Sequence, residues 1–135
     1  MEGTLVKDAV DTPLAFVRAL SLGDLESATA CFARDGCLIT PDLTAIHGRE
    51  RIRPVLAQLI AVAVQVRVEQ SNSLQAGETL IARERWTIRI GGNGRQVEQT
   101  CDPTLVLREV EGRWKFVIAA PWGWDDGRPQ PLAAD

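Results

Sequence analysis

From Trp86 to Trp124 the chain is built almost wholly of strand-forming segments separated by tight turns. GGNG, Gly91 to Gly94, joins two long segments; Glu111-Gly112 leads into a third, RWKFVIAA, which ends in the tryptophans of PWGW. Glycine and asparagine supply the positive φ that hairpin turns need. A meander of this kind is stable only if one face is covered. Upstream the sequence offers three short amphipathic helices and one short strand. The inventory predicts an α+β fold: a cone-shaped, curved, mostly antiparallel sheet wrapped around three N-terminal helices, with an internal pocket between them.

A chain of 135 residues has room for one domain, which buries roughly two-thirds of its unfolded surface. We divide it into an N-terminal extension (1–11), a single domain (12–124) and a polar, proline-bearing tail (125–135) that reads as poorly ordered. Hydrophobic residues make up 45% of the chain and mean hydropathy is -0.05, values of a globular protein. No apolar run approaches the ~20 residues of a membrane span. The longest, Leu59 to Val64, lacks a preceding basic region, so no secretory signal is read and a cytoplasmic location is expected.

Net charge is -3, and the 15 basic residues, 13 of them arginine, are interleaved with acids. Nucleic-acid binding needs a basic patch or stripe, so no such partner is expected. Cys31, Cys37 and Cys101 show no CxxC spacing, and His47 is the only histidine. No metal site and no cofactor follow from that set. The cysteines read as small buried hydrophobes. GGNG lies between strands and opens no helix, so it is a turn and not a phosphate loop.

Thr12 with Pro13 predicts the start of a first helix carrying Leu14, Val17, Ala19 and Leu20 inward, with Gly23 as its stop. Asp24 caps a second, Leu25 to Ala33. Arg34-Asp35-Gly36 turns into a strand, Cys37 to Thr40, which Pro41-Asp42 ends. A third helix follows Gly48 and should kink or restart at Pro54. From Val64 the period becomes alternating, Val64, Val66 and Val68 sharing one face. The next strand puts Leu80, Ala82, Glu84, Trp86, Ile88 and Ile90 on one face, with Arg83, Arg85, Thr87 and Arg89 opposite.

Glu84 is the odd member of that apolar row. A buried carboxylate needs an ion pair, for example with Arg67 or Arg108, a retained proton or a wet cavity. A long fourth strand, about Arg95 to Val110, contains Asp102-Pro103. Proline has no ladder donor, so this dipeptide marks a bulge or a change of pairing, and alternation leaves the direction of Asp102 open.

The order of elements resembles the nuclear transport factor 2-like superfamily, and within it SnoaL-like and ketosteroid-isomerase-like proteins. The resemblance lies in FVRALSLGDLESATACFARDGCLITPD, HGRERIRPVL, ARERWTI and TLVLREVEGRWKFV, and covers about residues 10 to 124. It implies a pocket against Phe16, Leu20, Thr40, His47, Trp86 and Trp122. It also implies a homodimer, to which the outer sheet face bearing Arg83, Arg85 and Arg89 is suited.

The family's catalytic positions transfer poorly. The tyrosine of steroid isomerases falls on Phe16 and their base on Thr40. Their second aspartate falls near Thr104, or on Asp102. The chain has no tyrosine, which excludes a steroid-isomerase oxyanion hole and a tyrosine-assisted dehydratase site. Histidine positions of many relatives are Ile118 and Ala120. The substitutes are Glu84, Asp102 and Asp42, each with a bland alternative: an ion pair, a bond to backbone donors, an ordinary turn. Two functions follow. One is a cofactor-independent isomerase or aldol-type cyclase acting on a small hydrophobic molecule by general acid/base transfer through a carboxylate. The other is a non-catalytic hydrophobic-ligand-binding or dimerisation module.

Overall fold

The computed structural model describes residues 2–92 and 95–123. Half of the expected GGNG turn, Trp124 and the tail from Asp125 lie outside the described residues. The elements are α1 (Glu2–Leu22), α2 (Leu25–Ala30), β1 (Phe32–Ile39), β2 (Ala45–His47), α3 (Arg49–Ala61), β3 (Gln65–Ala76), β4 (Thr79–Gly92), β5 (Arg95–Cys101), β6 (Thr104–Val110) and β7 (Arg113–Ala120). They form an α+β fold with one sheet, in the order β2-β1-β7-β6-β4-β3, and β5 also lies on β4. β1 and β7 run parallel; the other described pairs are antiparallel.

The helix stops follow from local chemistry. Gly23, at φ +75°, sits just past α1, its N–H reaching Leu20 O at 3.2 Å while Asp24 N reaches Ala19 O at 2.8 Å. This pair of bonds satisfies the last carbonyls of the helix. Asp24 then caps α2 by accepting from Ser27 N at 3.1 Å. α3 ends in the same two-bond pattern, Ala63 N to Ile60 O and Val64 N to Leu59 O, but with Ala63 at φ 56° where glycine is usual.

Several boundaries correct the reading of the sequence. α1 begins at Glu2 instead of after Thr12, so Pro13 stands inside the helix, and Thr12 Oγ1 donates to Trp114 O at 3.0 Å. α2 stops at Ala30 because Phe32 and Ala33 already belong to β1, whose register with β7 shifts between Phe32 and Cys37. Arg34-Asp35-Gly36 is that irregularity, within a strand. A further short strand, β2, follows. α3 passes Pro54 as one helix.

The Asp102-Pro103 break is not a bulge. Register sums are constant on both sides, Trp86 opposite Cys101 and Arg83 opposite Thr104. β5 and β6 are one line interrupted where proline lacks a donor, and Pro103 O still accepts from Glu84 N at 3.1 Å. The true bulge beside this stretch is at Glu69 in β3, where Val68 faces Trp86 but Gln70 faces Arg85.

The core fills the cone. Phe16 of α1, Phe32 of β1 and Phe116 of β7 meet edge to face with centroids 5.2 to 5.7 Å apart, the geometry that ring quadrupoles favour. Ile52 and Leu56 of α3 and Leu80, Leu105 and Leu107 of the sheet close around them, all buried.

Candidate functional site

Alternation along β4 brings Leu80, Ala82, Glu84, Trp86 and Ile88 to the concave face, all buried. Glu84, 6% exposed, is one of two buried polar side chains among the described residues, the other being Thr29. Two neutral donors hold it. Trp86 Nε1 donates to Oε1 at 2.6 Å, and Ser71 Oγ donates to Oε2 at 2.8 Å. Trp86 is two residues on, hence on the same face of the strand. Ser71 comes from β3, and only the extra residue at Glu69 turns it toward Glu84.

The arginines that could have paired with Glu84 are engaged elsewhere. Arg67 Nε donates to Glu69 at 2.7 Å, and Arg108 lies 3.5 Å from Asp35. Glu84 is thus a buried acid satisfied by hydrogen bonds, without a cation. It also stands outside the wall of the apolar cavity that opens beside Trp86.

That cavity lies between α1, α3 and the curved half of the sheet. Phe16, Leu20, Trp86 and Trp122 line it together with Leu38, Leu56, Leu59, Val64, Val66, Ile88, Ile90 and Pro121. Thr40 and His47 do not. Its volume is about 20 Å³, space for about one water molecule. The wall carries no carboxylate, hydroxyl or imidazole. Trp122, Leu59 and Val66 are half-buried, so the cavity reaches the surface through them.

The remaining acids face water. Asp102 is exposed and pairs across the strand with Arg85, Nε to Oδ1 2.9 Å, because the unbroken register sets the two opposite each other on the outer face. Asp42 is exposed in the loop between β1 and β2, where it accepts from Thr40 Oγ1 and, at 3.3 Å, from Thr44 N. The Thr40 hydroxyl, then Thr44, hold its carboxyl below the ordinary value, the wrong direction for a general base. Thr40 spends its own hydroxyl on that loop. His47 is exposed on β2, opposite Cys37.

Cys37 and Cys101 are buried free thiols and Cys31 is a half-buried one. Burial pushes Cys101 and Cys31 up to about 11, and Cys101 Sγ donates to Pro121 O at 3.2 Å. Among the described residues no cluster of His, Cys, Asp and Glu could hold a metal ion. No described helix is long and apolar enough to cross a membrane. Sequence reasoning missed Ser71 as a partner of Glu84, since no residue type announces the bulge. The Trp86 contact was legible, because side chains two apart share a face.

The SnoaL-like domain pattern matches residues 14–117. The chain belongs to the SnoaL-like family. Its fold is shared with solved structures of low sequence identity. A candidate dehydratase of the nuclear transport factor 2-like family from Streptomyces avermitilis superposes with TM-score 0.81 at 19% identity, covering 89% of this chain and 96% of that one. A ketosteroid isomerase-like protein from Erwinia carotovora atroseptica gives 0.72 at 18%, covering 83% and 90%. A candidate calcium/calmodulin-dependent protein kinase II association domain from Xanthomonas campestris gives 0.74 at 17%, covering 82% and 81%. No curated protein matches the chain in sequence.

Proposed function

We propose that this chain is a pocket protein that takes a small apolar molecule at the open end of its cone and binds it without transforming it. The observation that carries this reading is the apolar wall of the cavity beside Trp86, made of aliphatic and aromatic side chains and proline. Binding sites of this kind are mainly apolar, with a few polar groups for orientation. Here the nearest acid, Glu84, is occupied by Trp86 and Ser71. A void of about 20 Å³ is too small for an organic ligand, so binding displaces the half-buried rim, Trp122 and Leu59. The neutral probe N-phenyl-1-naphthylamine should brighten saturably with one site per chain, and Leu59→Ala should tighten it by enlarging the void. Absence of saturable binding in both proteins overturns the reading.

A second reading, favoured by the burial of Glu84, makes the same hollow the site of a cofactor-independent isomerase or aldol-type cyclase. The candidate dehydratase and the ketosteroid isomerase-like protein among the structural neighbours support an enzyme of this class. Glu84 then moves a proton once a carbonyl ligand opens its bond to Trp86. In that case Glu84→Gln abolishes turnover of a carbonyl substrate while the probe still binds. Turnover that survives the substitution removes Glu84 from the chemistry.

The outer face of the sheet supports a homodimer. Cys37, Ile118, Val106, Ile81 and Leu74 are successive register partners on β1, β7, β6, β4 and β3. Ile118 is 40%, Ile81 44% and Leu74 74% exposed. An apolar row flanked by charges of both signs, Arg85 with Asp102 on one side and Arg108 with Asp35 on the other, can meet its own twofold copy. One neighbour is named as an association domain.

A further inference from the structure

One cavity has no part in the readings above. It is a cleft of about 570 Å³ at the start of β7, between α1, α2 and the β6–β7 turn. It lies at the opposite end of β7 from Pro121 and shares no wall residue with the apolar cavity. Its size falls within the range of small-molecule sites.

The cleft has a wall of mixed polar and apolar character and carries cations that form no ion pair. Arg113 and Lys115 line it, with Asp11 as the one carboxylate in the wall. Arg49 stands close behind. Lys115 Nζ donates to Ala30 O at 2.6 Å, and Arg49 donates to Phe32 O at 2.8 Å and Ala30 O at 3.5 Å. Both cations reach the carbonyl of Ala30 and so cap the end of α2, a structural role. These bonds leave the charges unpaired: the ion pairs among the described residues involve Arg53, Arg67, Arg85, Arg89 and Arg108, and none of these three. Partial burial, then the neighbouring Arg49, lower the pKa of Lys115, which agrees with cations crowded together.

Trp114 supplies a reporter beside the cleft. It forms part of the cleft wall and is 3% exposed. Its Nε1 is the one buried side-chain nitrogen or oxygen among the described residues with no hydrogen-bond partner. An indole N–H can only donate. Leaving it unpaired in the interior is costly. Side chains alternate along β7, so Arg113 and Lys115 share one face while the Trp114 indole turns into the core behind the cleft wall.

We propose that this cleft binds a small organic monocarboxylate, its acid group held by Lys115 and Arg113 and its apolar body lying against Ala15 and Ala30. The Trp114 indole, buried directly behind the wall, senses occupancy of the cleft without touching the ligand. Asp11 selects against a second negative charge and suits a ligand with a hydroxyl or amino group away from its acid. The site is separate from the cone interior, so the failure of either reading leaves the other standing.

The test uses the full chain labelled with nitrogen-15, with the Trp114 indole resonance assigned by its loss in Trp114→Phe. Sodium benzoate and benzylamine hydrochloride are titrated at constant ionic strength. Benzoate should shift that resonance saturably and benzylamine should not. Arg113 is exposed and makes no ion pair, so Arg113→Gln should keep the melting temperature and weaken benzoate by about fivefold. Lys115→Gln should weaken it further, with circular dichroism confirming that α2 is retained. The proposal is overturned if benzoate gives no saturable shift, if benzylamine gives the same shift, or if both substitutions leave benzoate affinity unchanged.

Discussion

Glu84 owes its place in an apolar row to two donors, and the strength of those bonds can be measured. Hydrogen bonds to a buried polar group contribute about 0.5–3 kcal/mol each, and removing a partner exposes the cost of desolvation. Glu84→Gln turns an acceptor into a donor facing Ser71 or Trp86, so urea denaturation should show a loss of roughly 1–3 kcal/mol. A double-mutant cycle with Trp86→Phe should show coupling of similar size. Stabilisation by Glu84→Gln would instead reveal a carboxylate strained by burial and would strengthen the enzymatic reading. The thiols give a second residue-scale expectation. Unfolded cysteines ionise near 9.0, whereas burial keeps Cys31 and Cys101 protonated to about 11. The folded state therefore binds more protons in that window, and stability, complete below it, falls as pH rises from about 9 to about 11. Urea midpoints at the two ends of the window, in wild type and in Cys31→Ser/Cys101→Ser, check the sign; an equal fall in both proteins refutes it. That Glu84 was anomalous could be read from alternation alone. Its partner from β3 could not.

Helix ends and strand breaks show where local rules hold. Gly23 and Asp24 are a helix stop and a cap in the sequence and in the fold. The matching stop after α3 uses Ala63 at φ 56°, a conformation that costs an L-residue about 1 kcal/mol or more. Ala63→Gly should therefore raise stability by about 0.5–1 kcal/mol after the entropy that glycine adds to the unfolded chain. Thermal unfolding of the variant checks this, and a lower melting temperature would mean the Ala63 methyl group has packing value. Gly36 makes the opposite case. A Cβ there would stand 2.8 Å from Phe116 O and 3.0 Å from Ala33 O, so Gly36→Ala should cost roughly 1–3 kcal/mol as the parallel β1 and β7 are forced apart. Sequence reasoning took Gly36 for a turn residue, since backbone approach between distant strands leaves no local trace. Thr12-Pro13 misled for a related reason: proline at a helix start and proline tolerated within a helix look alike.

At the scale of the molecule, the sheet has a filled inner face and an outer face with an apolar row. If the row is an interface, sedimentation velocity should find a dimer for the wild type and a monomer for Ile81→Lys, because a central charge in an isologous contact meets its own copy. A monomeric wild type at micromolar concentration sinks the proposal. Sequence alone determined the α+β cone, the inward row from Leu80 to Ile88 and the caps around Gly23, since period, turn residues and capping are local properties of the chain. Tertiary structure decided what faces what. The bulge at Glu69 turns Ser71 onto Glu84, the constant register across Pro103 sends Asp102 out to Arg85, and the packing of Phe16, Phe32 and Phe116 shrinks the expected hollow. Each depends on alignment between segments far apart in the chain, where one inserted residue reverses every side chain beyond it.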